Sequence, residues 1–595
     1  MSGAAGNGAA FSPVGRRRRQ DEKTGDPEVV RLLIEYGRRA QLAGGNPYRA
    51  RAYIRAAESL AAQTEPLDRL IAKKRLREIS GIGEAIAAVI ERLHRTGSHP
   101  SLEKMRGEIP AGVLDLLAIP GLRPDKAVKL YRELGITTFA ELEGAVADDS
   151  LWKTRSLSSA LQRKIKQGLQ IRRESEGARH MHRAEELLLA VQENVRRAQK
   201  GLKSVTIAGG FRRGSELVGD LALVAEATSI ENSPAALKSG DLTVHLTDPK
   251  RLGITLLRAT GNPDHLAQLE ELARGKGYVL TADGLMKGRK LIAAKTEADI
   301  YKALGLAYIE PELREGRGEI ERAAAGKLPE LVTMEDLRGI LHAHTVASDG
   351  ANTLEQMAKA TRERGYRYFG VTDHSQSAHY AGGLSAEEIE EQHAEADRLN
   401  AKSGAGFRIF KGIESDILPD GSLDYPDDVL RRFDFIVASV HGEFRLDRAA
   451  QTKRIIRAVS NPFVTILGHM TGRQLLRRPG YEVDVEKILS ACARHGVAVE
   501  INANPWRLDL DWRWFERALE LGCMFSIDPD AHDTGEIDNV RWGVDMARKG
   551  GIPKDRILNC LDLPDFTGWL DKRAGGRSRA RKAAPHQRVT GGTPA

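Results

Sequence analysis

The chain has 595 residues, 41% hydrophobic and 29% charged, with a formal net charge of +8 and a pI near 9.2. That length exceeds one hydrophobic core and sets an expectation of about three to four domains. No apolar run approaches the ~18 residues that span a bilayer, and the basic run Arg16–Arg19 has no apolar stretch beside it, so neither a membrane span nor a secretory signal is expected. Three cysteines, Cys492, Cys523 and Cys560, cannot frame a disulfide scaffold and fit a reducing cytosol. The positive balance favours a polyanionic partner.

Residues 1–25 are rich in Gly, Ala and Arg and read as a disordered basic tail, as does the stretch from 573 to 595. Between 26 and 200 the spacing predicts many helices, VVRLLIEYGRRAQLAG and DRLIAKKRLREI among them. ISGIGEAIAAVIERL, Ile79 to Leu93, places Gly81 and Gly83 in a tight turn ahead of a helix. A helix N-terminus offers unpaired N–H groups that hold a nucleic-acid phosphate without reading bases. A second copy, IPGLRPDKAVKLYREL, repeats the pattern with Gly121 but has Arg123 at the second glycine position. One such hairpin is equally compatible with plain helix packing; two strengthen the reading as contacts to DNA backbone. TRSLSSALQRKI stands where a third would fall, without the glycines.

Residues 201–335 change to alternating strands, KSVTIAGGFRRG, DLALVAEA and DLTVHLTD, followed by helices, and predict a mixed α/β unit. From 336 to 572 short apolar runs (FGVTDH, FRIFKGIE, FDFIVASVH, FVTILGH, VAVEIN, CMFSIDPDAH) alternate with helices such as TLEQMAKATRERG, VEKILSACARHG and WFERALELG. Continuous apolar strands separated by helices predict a parallel sheet covered by helices, and about seven units predict a closed or nearly closed barrel. Sites in such barrels lie at the C-terminal strand ends.

The histidines fall there. Of the 16 in the chain, nine lie in this last segment, and six end or directly follow a predicted strand: His342, His344, His374, His441, His469 and His532. Asp349, Glu414 and Asp530 join them. An H-x-H pair on a strand points both rings to one side, and D-x-H at 530–532 does the same. Nine imidazoles and carboxylates at one barrel mouth are costly unless divalent cations satisfy them, and this donor set suits Mn²⁺, Zn²⁺ or Fe²⁺. Nine ligands exceed one tetrahedral site, so two to three ions are expected.

LHAHTVASDG, VTDHS, KGIESDI, ASVHG, LGHMTGR and DPDAH closely resemble the PHP phosphoesterases, the polymerase and histidinol phosphatase domains. The resemblance implies one metal on His342, His344, Glu414 and Asp530. A second falls on Asp349, His374 and His532, and a third on Glu414, His441 and His469. It implies hydrolysis of a phosphoester by metal-activated water. Arg473 and Arg507, forked donors near strand ends, are the candidate phosphate binders, though each could equally be a surface ion pair. Asp373 is the candidate that orients a ligand or a water.

Hairpins, a mixed unit and then this barrel follow the order of the bacterial family X DNA polymerases, which NPYRARAYIRAAESL and YKALGLAYIEPELREGRGEI also resemble. The implied fold is multidomain: an α-helical helix-hairpin-helix region, an α/β polymerase X-like palm and a distorted (β/α)7 PHP barrel. The family's palm motif runs G-S-x-R-R-G and then D-x-D, with a third aspartate on a later strand. This chain has AGGFRRGSELVGDLALVAEA, which keeps Arg212, Arg213 and Asp220 but has Gly210 at the serine position and Ala222 at the second acid. The third acid position holds Thr243, with Asp241 two residues earlier as a substitute left open, and the family's Y-F-T-G-S turn reads RATGN. Val89 stands where some relatives carry a lyase lysine. The resemblance therefore implies a cytoplasmic, nucleoid-associated hydrolase. It would trim or process DNA 3′ ends, or cut at abasic sites, on a scaffold whose polymerase site is broken. Two alternatives stand beside it: a phosphatase of a small phosphate monoester, and residual gap-filling polymerase activity.

Overall fold

The computed structural model describes residues 27–583, apart from 45–46, 62–66, 80, 118, 120–121, 149, 154–157, 175–176, 199–200, 229–235 and 240. It divides into two compact units, Met1–Gln170 and Ile171–Ala595.

The first unit is helical. Pro27–Leu42, Pro47–Ala61, Leu67–Ala72 and Glu84–Thr96 bury one apolar core around Leu32, Leu33, Tyr53, Leu60, Ile90 and Leu93. A second core around Val113, Leu116, Leu130 and Leu142 joins the helices from Gly112 onward. Each places its apolar residues on one helical stripe, which is what drives the packing. Glu84–Thr96 and Pro124–Leu134 both end on a left-handed glycine, Gly97 and Gly135, where a side chain would be strained. Ser159–Glu174 is a helix, and the third-hairpin stretch at 154–157 lies outside the described residues.

In the second unit, Met181–Ala198 packs on a four-stranded sheet ordered Leu202–Ala208, Leu221–Ala227, Leu242–Thr247, Ala236–Ser239. The two outer pairings are antiparallel and the central one parallel. Leu252–Thr260, Pro263–Gly275 and Glu297–Ala303 follow, with a three-stranded antiparallel sheet between them. Gly253 is required by contact: a Cβ there would lie 2.3 Å from the Thr296 carbonyl carbon.

The remainder holds two parallel sheets. One orders Gly339–Ile340, Tyr368–Val371 and Arg408–Lys411; the other orders Glu414–Asp416, Val437–Ser439, Ile466–Leu467, Ala498–Asn502 and Phe525–Asp528. The single closed ladder expected from the sequence is thus replaced by two sheets. Isolated parallel bridges, His374–Glu414 and Ala343–Ala531, join them at both seams. Ile340, Phe369, Ile436, Val499 and Ile527 fill the core between sheet and helices. Of the tail read as disordered from 573 to 595, residues 573–583 continue the last helix, Leu563–Ala583, and 584–595 lie outside the described residues.

Candidate metal centre

All nine anticipated ligands come together where the chain leaves the parallel strands. His344, Asp349, His374 and His532 form one group whose ligand atoms lie within 4.8 Å of one another; His342, His344 and Asp530 form a second, and His374, Glu414 and His441 a third. Glu414 is the hub. Its oxygens lie 3.4 Å from His342 Nε2, 3.7 Å from His344 Nε2, 3.0 Å from His374 Nδ1, 3.2 Å from His441 Nε2 and 3.1 Å from His469 Nε2. Asp349 sits 3.4 Å from His532 Nε2 and 3.6 Å from His374 Nε2. The grouping differs from the expected one in that His344 also faces Asp349, and His374 also faces Glu414.

Strand alternation is not what aims these side chains. The first strand stops at Ile340, and His342 then takes φ 60°, while Asp530 takes φ 51° after a strand that stops at Asp528. Both are left-handed, which costs a non-glycine residue energy and persists only where the surroundings enforce it. Here they do: His344 N–H donates to Ala531 O at 2.8 Å, Thr372 N–H donates to Ala343 O at 2.9 Å, and Ala343 N–H donates to Thr372 Oγ1 at 2.8 Å.

The centre is largely buried and charged. His342 and His344 are fully buried and Glu414 is 1% exposed. His342 Nε2, both nitrogens of His344, His374 Nδ1, His469 Nδ1 and Glu414 Oε2 are buried without a hydrogen-bond partner. Such atoms are costly to bury unsatisfied, and imidazole nitrogens and carboxylate oxygens facing one another are a cation's donor set. The residues present therefore fit divalent metals. Burial drives His344 down to about 4. At His441 burial opposes the charge, yet Glu414 and Asp416 prevail and lift it to about 10. Burial likewise opposes His532, but Asp349 and Asp530 raise it to about 9.

Around the nine stand acids that the sequence reading missed. Glu500 is fully buried, with one oxygen on His342 Nδ1 and the other accepting the His469 N–H. Asp416 accepts from His441 Nδ1 at 2.6 Å and is itself held by the Ser377 hydroxyl at 2.7 Å. Such partners fix the tautomer and ring orientation of a ligand. A signal for each was present: Asp416 follows Glu414 by two on one strand, and Glu500 lies in the apolar strand VAVEIN, where a charge is out of place.

The three candidates for other roles separate. Arg507 lies at the cluster, its Nε 3.6 Å from Asp530 Oδ2, and is partly exposed. Arg473 is engaged by other groups of the chain. Its guanidinium is taken up by Glu216 at 3.1 Å, Asp511 at 3.0 Å, and the carbonyls of Arg507 and Leu508. A forked cation between two partly buried acids is satisfied internally. The Asp373 carbonyl accepts the Glu414 N–H at 3.0 Å, while its carboxylate is engaged outside the nine. It accepts from Thr345 N at 2.7 Å, Thr345 Oγ1 at 2.7 Å, Gln392 Nε2 at 2.6 Å and Ser348 Oγ, and so braces the loop after His344.

At the polymerase-like sheet, Ala222 and Thr243 are direct register partners on adjacent parallel strands, so the two missing acids would have faced each other. Asp220 is held by Gly210 N–H at 3.0 Å and by Arg213 at 3.3 Å. A Cβ at Gly210 would fall 2.4 Å from the Asp220 carboxylate, so the serine's place is occupied by that acid. Asp241 pairs with Arg179 at 2.5 Å, and neither it nor Asp220 belongs to a metal-capable group among the described residues. Arg212 forks onto Glu297 at 2.9 and 2.7 Å, and Arg213 onto Glu315 at 3.2 Å. Both arginines now tie this sheet to the helices after it.

In the helical unit, Gly81 has φ 82° and Gly83 precedes the Glu84–Thr96 helix, with open space where either Cβ would be. Arg123 folds onto Asp125 at 2.9 Å ahead of Pro124–Leu134, and Gly121 lies outside the described residues. Val89 is buried in the helix core.

Comparison with known proteins gives the same three parts. Residues 25–99 match the helix-hairpin-helix domain, 255–315 the DNA polymerase beta thumb and 341–504 the PHP domain. The chain is 32% identical over 576 residues to DNA polymerase/3′-5′ exonuclease PolX of Bacillus subtilis (strain 168), which covers 92% of this chain and 99% of that one. It is also 30% identical over 251 residues to a probable phosphatase of Thermoanaerobacter sp. (strain X514), covering 39% of this chain and 94% of that protein. A probable phosphatase of Acetivibrio thermocellus is 32% identical over 241 residues, covering 39% and 94%. The PHP match stops before Asp530 and His532, which the fold returns to the cluster.

Proposed function

The chain belongs to the PolX family of DNA polymerase/3′-5′ exonucleases, and from that premise we propose that it is a metal-dependent phosphoesterase acting on DNA ends. It removes nucleotides or blocking groups from 3′ ends, or cuts at abasic sites, in the cytoplasm beside the nucleoid. One observation carries this reading: eight of the nine anticipated ligands fall into metal-capable groups, with His469 3.1 Å from Glu414, and several of their buried atoms lack a hydrogen-bond partner, whereas the polymerase-like sheet keeps one acid of three.

His342, His344 and Asp530 would hold one ion, Asp349, His374 and His532 a second, and His441 and His469 a third, with Glu414 between them. Two to three ions such as Mn²⁺, Zn²⁺ or Fe²⁺ would supply Lewis-acid stabilisation of phosphoryl oxygens and acidify water. The chain's own residues do the rest. Glu500 and Asp416 hold the His342 and His441 rings in one tautomer. Arg507 presents a guanidinium at the rim, where it meets a phosphate oxygen as charge builds there. The buried floor excludes bulk water and strengthens each of these interactions.

Upstream, the turn at Gly81 and Gly83 would offer backbone N–H groups to DNA phosphates, the role the sequence also suggests for Gly121, which lies outside the described residues. Residues 26–200 would thus grip DNA, 201–335 would form the degenerate palm and thumb, and 336–572 would do the chemistry. Nucleotide addition needs paired carboxylates on two ions, and Ala222 and Thr243 remove two of them.

A second reading, hydrolysis of a small phosphate monoester, is favoured by the probable phosphatases, whose matches cover 39% of this chain. The His342→Ala/His344→Ala double variant decides the first point. It should lose Mn²⁺-dependent digestion of 3′-recessed, gapped and abasic duplexes; full retained activity overturns the assignment. DNA binding that falls steeply with salt supports the DNA substrate, and no binding at low salt favours the small one.

A further inference from the structure

Tyr380 is the most exposed large hydrophobic side chain among the described residues, at 73%, and it stands at the mouth of the centre. Its ring lies 6.2 Å, centroid to centroid, from that of His374. The exposure is not looseness. Tyr380 occupies the middle of a one-turn helix, His379–Ala381, whose flanks Ala378 and Ala381 are buried. Ala381 N–H donates to Ala378 O at 2.8 Å, and Gly383 N–H to the same oxygen at 3.2 Å. A Cβ on Gly383 would sit 1.8 Å from Ser375 O, so the turn is pressed directly onto the segment after His374.

Gly382 takes φ 68° and lies over Ser348, where a Cβ would be 3.5 Å from its carbonyl oxygen. This brings the turn beside the loop after His344, whose Val346 is 55% exposed. Two exposed apolar side chains on adjoining, braced loops therefore border a floor of imidazoles and carboxylates. An occupant must combine an anion for the floor with a flat apolar body for the ring. A nucleotide has both; a small sugar phosphate lacks the second.

We propose that Tyr380 forms a stacking lip that takes the nucleobase adjoining the scissile phosphate. This deepens the phosphoesterase reading and rests on it. Every base has a π-face, so such a lip selects nucleotides over other phosphate esters without selecting sequence.

The test is a double-mutant cycle. Mn²⁺-dependent release from a 3′ end is measured for the unmodified protein, Tyr380→Ala and Tyr380→Phe. One strand is intact, and matched strands are abasic at the last or next-to-last position. Tyr380→Ala should lower kcat/KM on the intact strand by about 5- to 150-fold, the range of base–aromatic stacking. It should leave release from one of the abasic strands nearly unchanged, and Tyr380→Phe should behave as unmodified. Equal losses on all strands, or none, overturn the lip alone. No release from any strand by the unmodified protein overturns the phosphoesterase reading and the lip with it.

Discussion

Glu500→Gln probes the part of the centre that sequence reading missed. The carboxylate is fully buried and accepts on both oxygens, from His342 on one side and from the His469 N–H on the other, with Asn502 Nδ2 3.3 Å away. Glutamine has the same shape but only one acceptor oxygen. If its amide nitrogen faces His469 and Asn502, donors meet donors, at a cost of about 1–3 kcal/mol for the unsatisfied buried group. If it faces His342, the ring must take its proton on Nε2, the atom 3.4 Å from Glu414 and 3.6 Å from Asp530. That blocks the nitrogen aimed at the candidate ion. Either way, affinity for Mn²⁺ or Zn²⁺ should fall about 10- to 100-fold, the usual effect of removing a partner that orients a ligand. Titration against a competing chelator measures it, with the unfolding midpoint confirming that the variant is folded. A folded variant whose affinity stays within about threefold of the original would refute the orienting role.

Arg473→Met removes one cation from the partly buried Asp511 and Glu216, which keep Arg513, and leaves the Arg507 and Leu508 carbonyls without a donor, so the urea midpoint should drop by the equivalent of about 1–2 kcal/mol; an unchanged midpoint would return Arg473 to the list of phosphate donors. Burial and the neighbouring Glu312 raise the Asp545 carboxyl to about 7. Its folded value exceeds the unfolded one of about 3.9, so folding takes up a proton and stability declines as pH rises from about 4 to about 7. Asp545→Asn should lose that slope and be more stable at pH 8 by about 2–4 kcal/mol, and parallel stability–pH curves would disprove it. Primer extension with Mn²⁺ and all four nucleotides should give no templated product, and Ala222→Asp alone should not restore it, because Thr243 still faces that position. Clear extension by the unmodified chain would show that Asp220 and Asp241 suffice.

The sequence by itself named the nine candidate ligands. Strand and helix periods are local, so the apolar runs from FGVTDH to CMFSIDPDAH marked the strand ends, and six histidines and three acids fell at or beside them. It also exposed the broken palm, since an absent carboxylate at Ala222 is absent in any fold. Only the tertiary structure decided how the ligands converge. His342 and Asp530 reach the cluster through left-handed backbone enforced by the Ala343–Ala531 bridge, a pairing between segments nearly two hundred residues apart that no local period encodes. Likewise, an arginine's role depends on what lies within reach of its donors. Arg473 and Arg507 looked alike in sequence, but packing gave Arg473 the acids Glu216 and Asp511 and left Arg507 at the rim beside Asp530. Charges are read from a sequence, whereas their partners are set by distance, and distance is fixed only once the chain has folded.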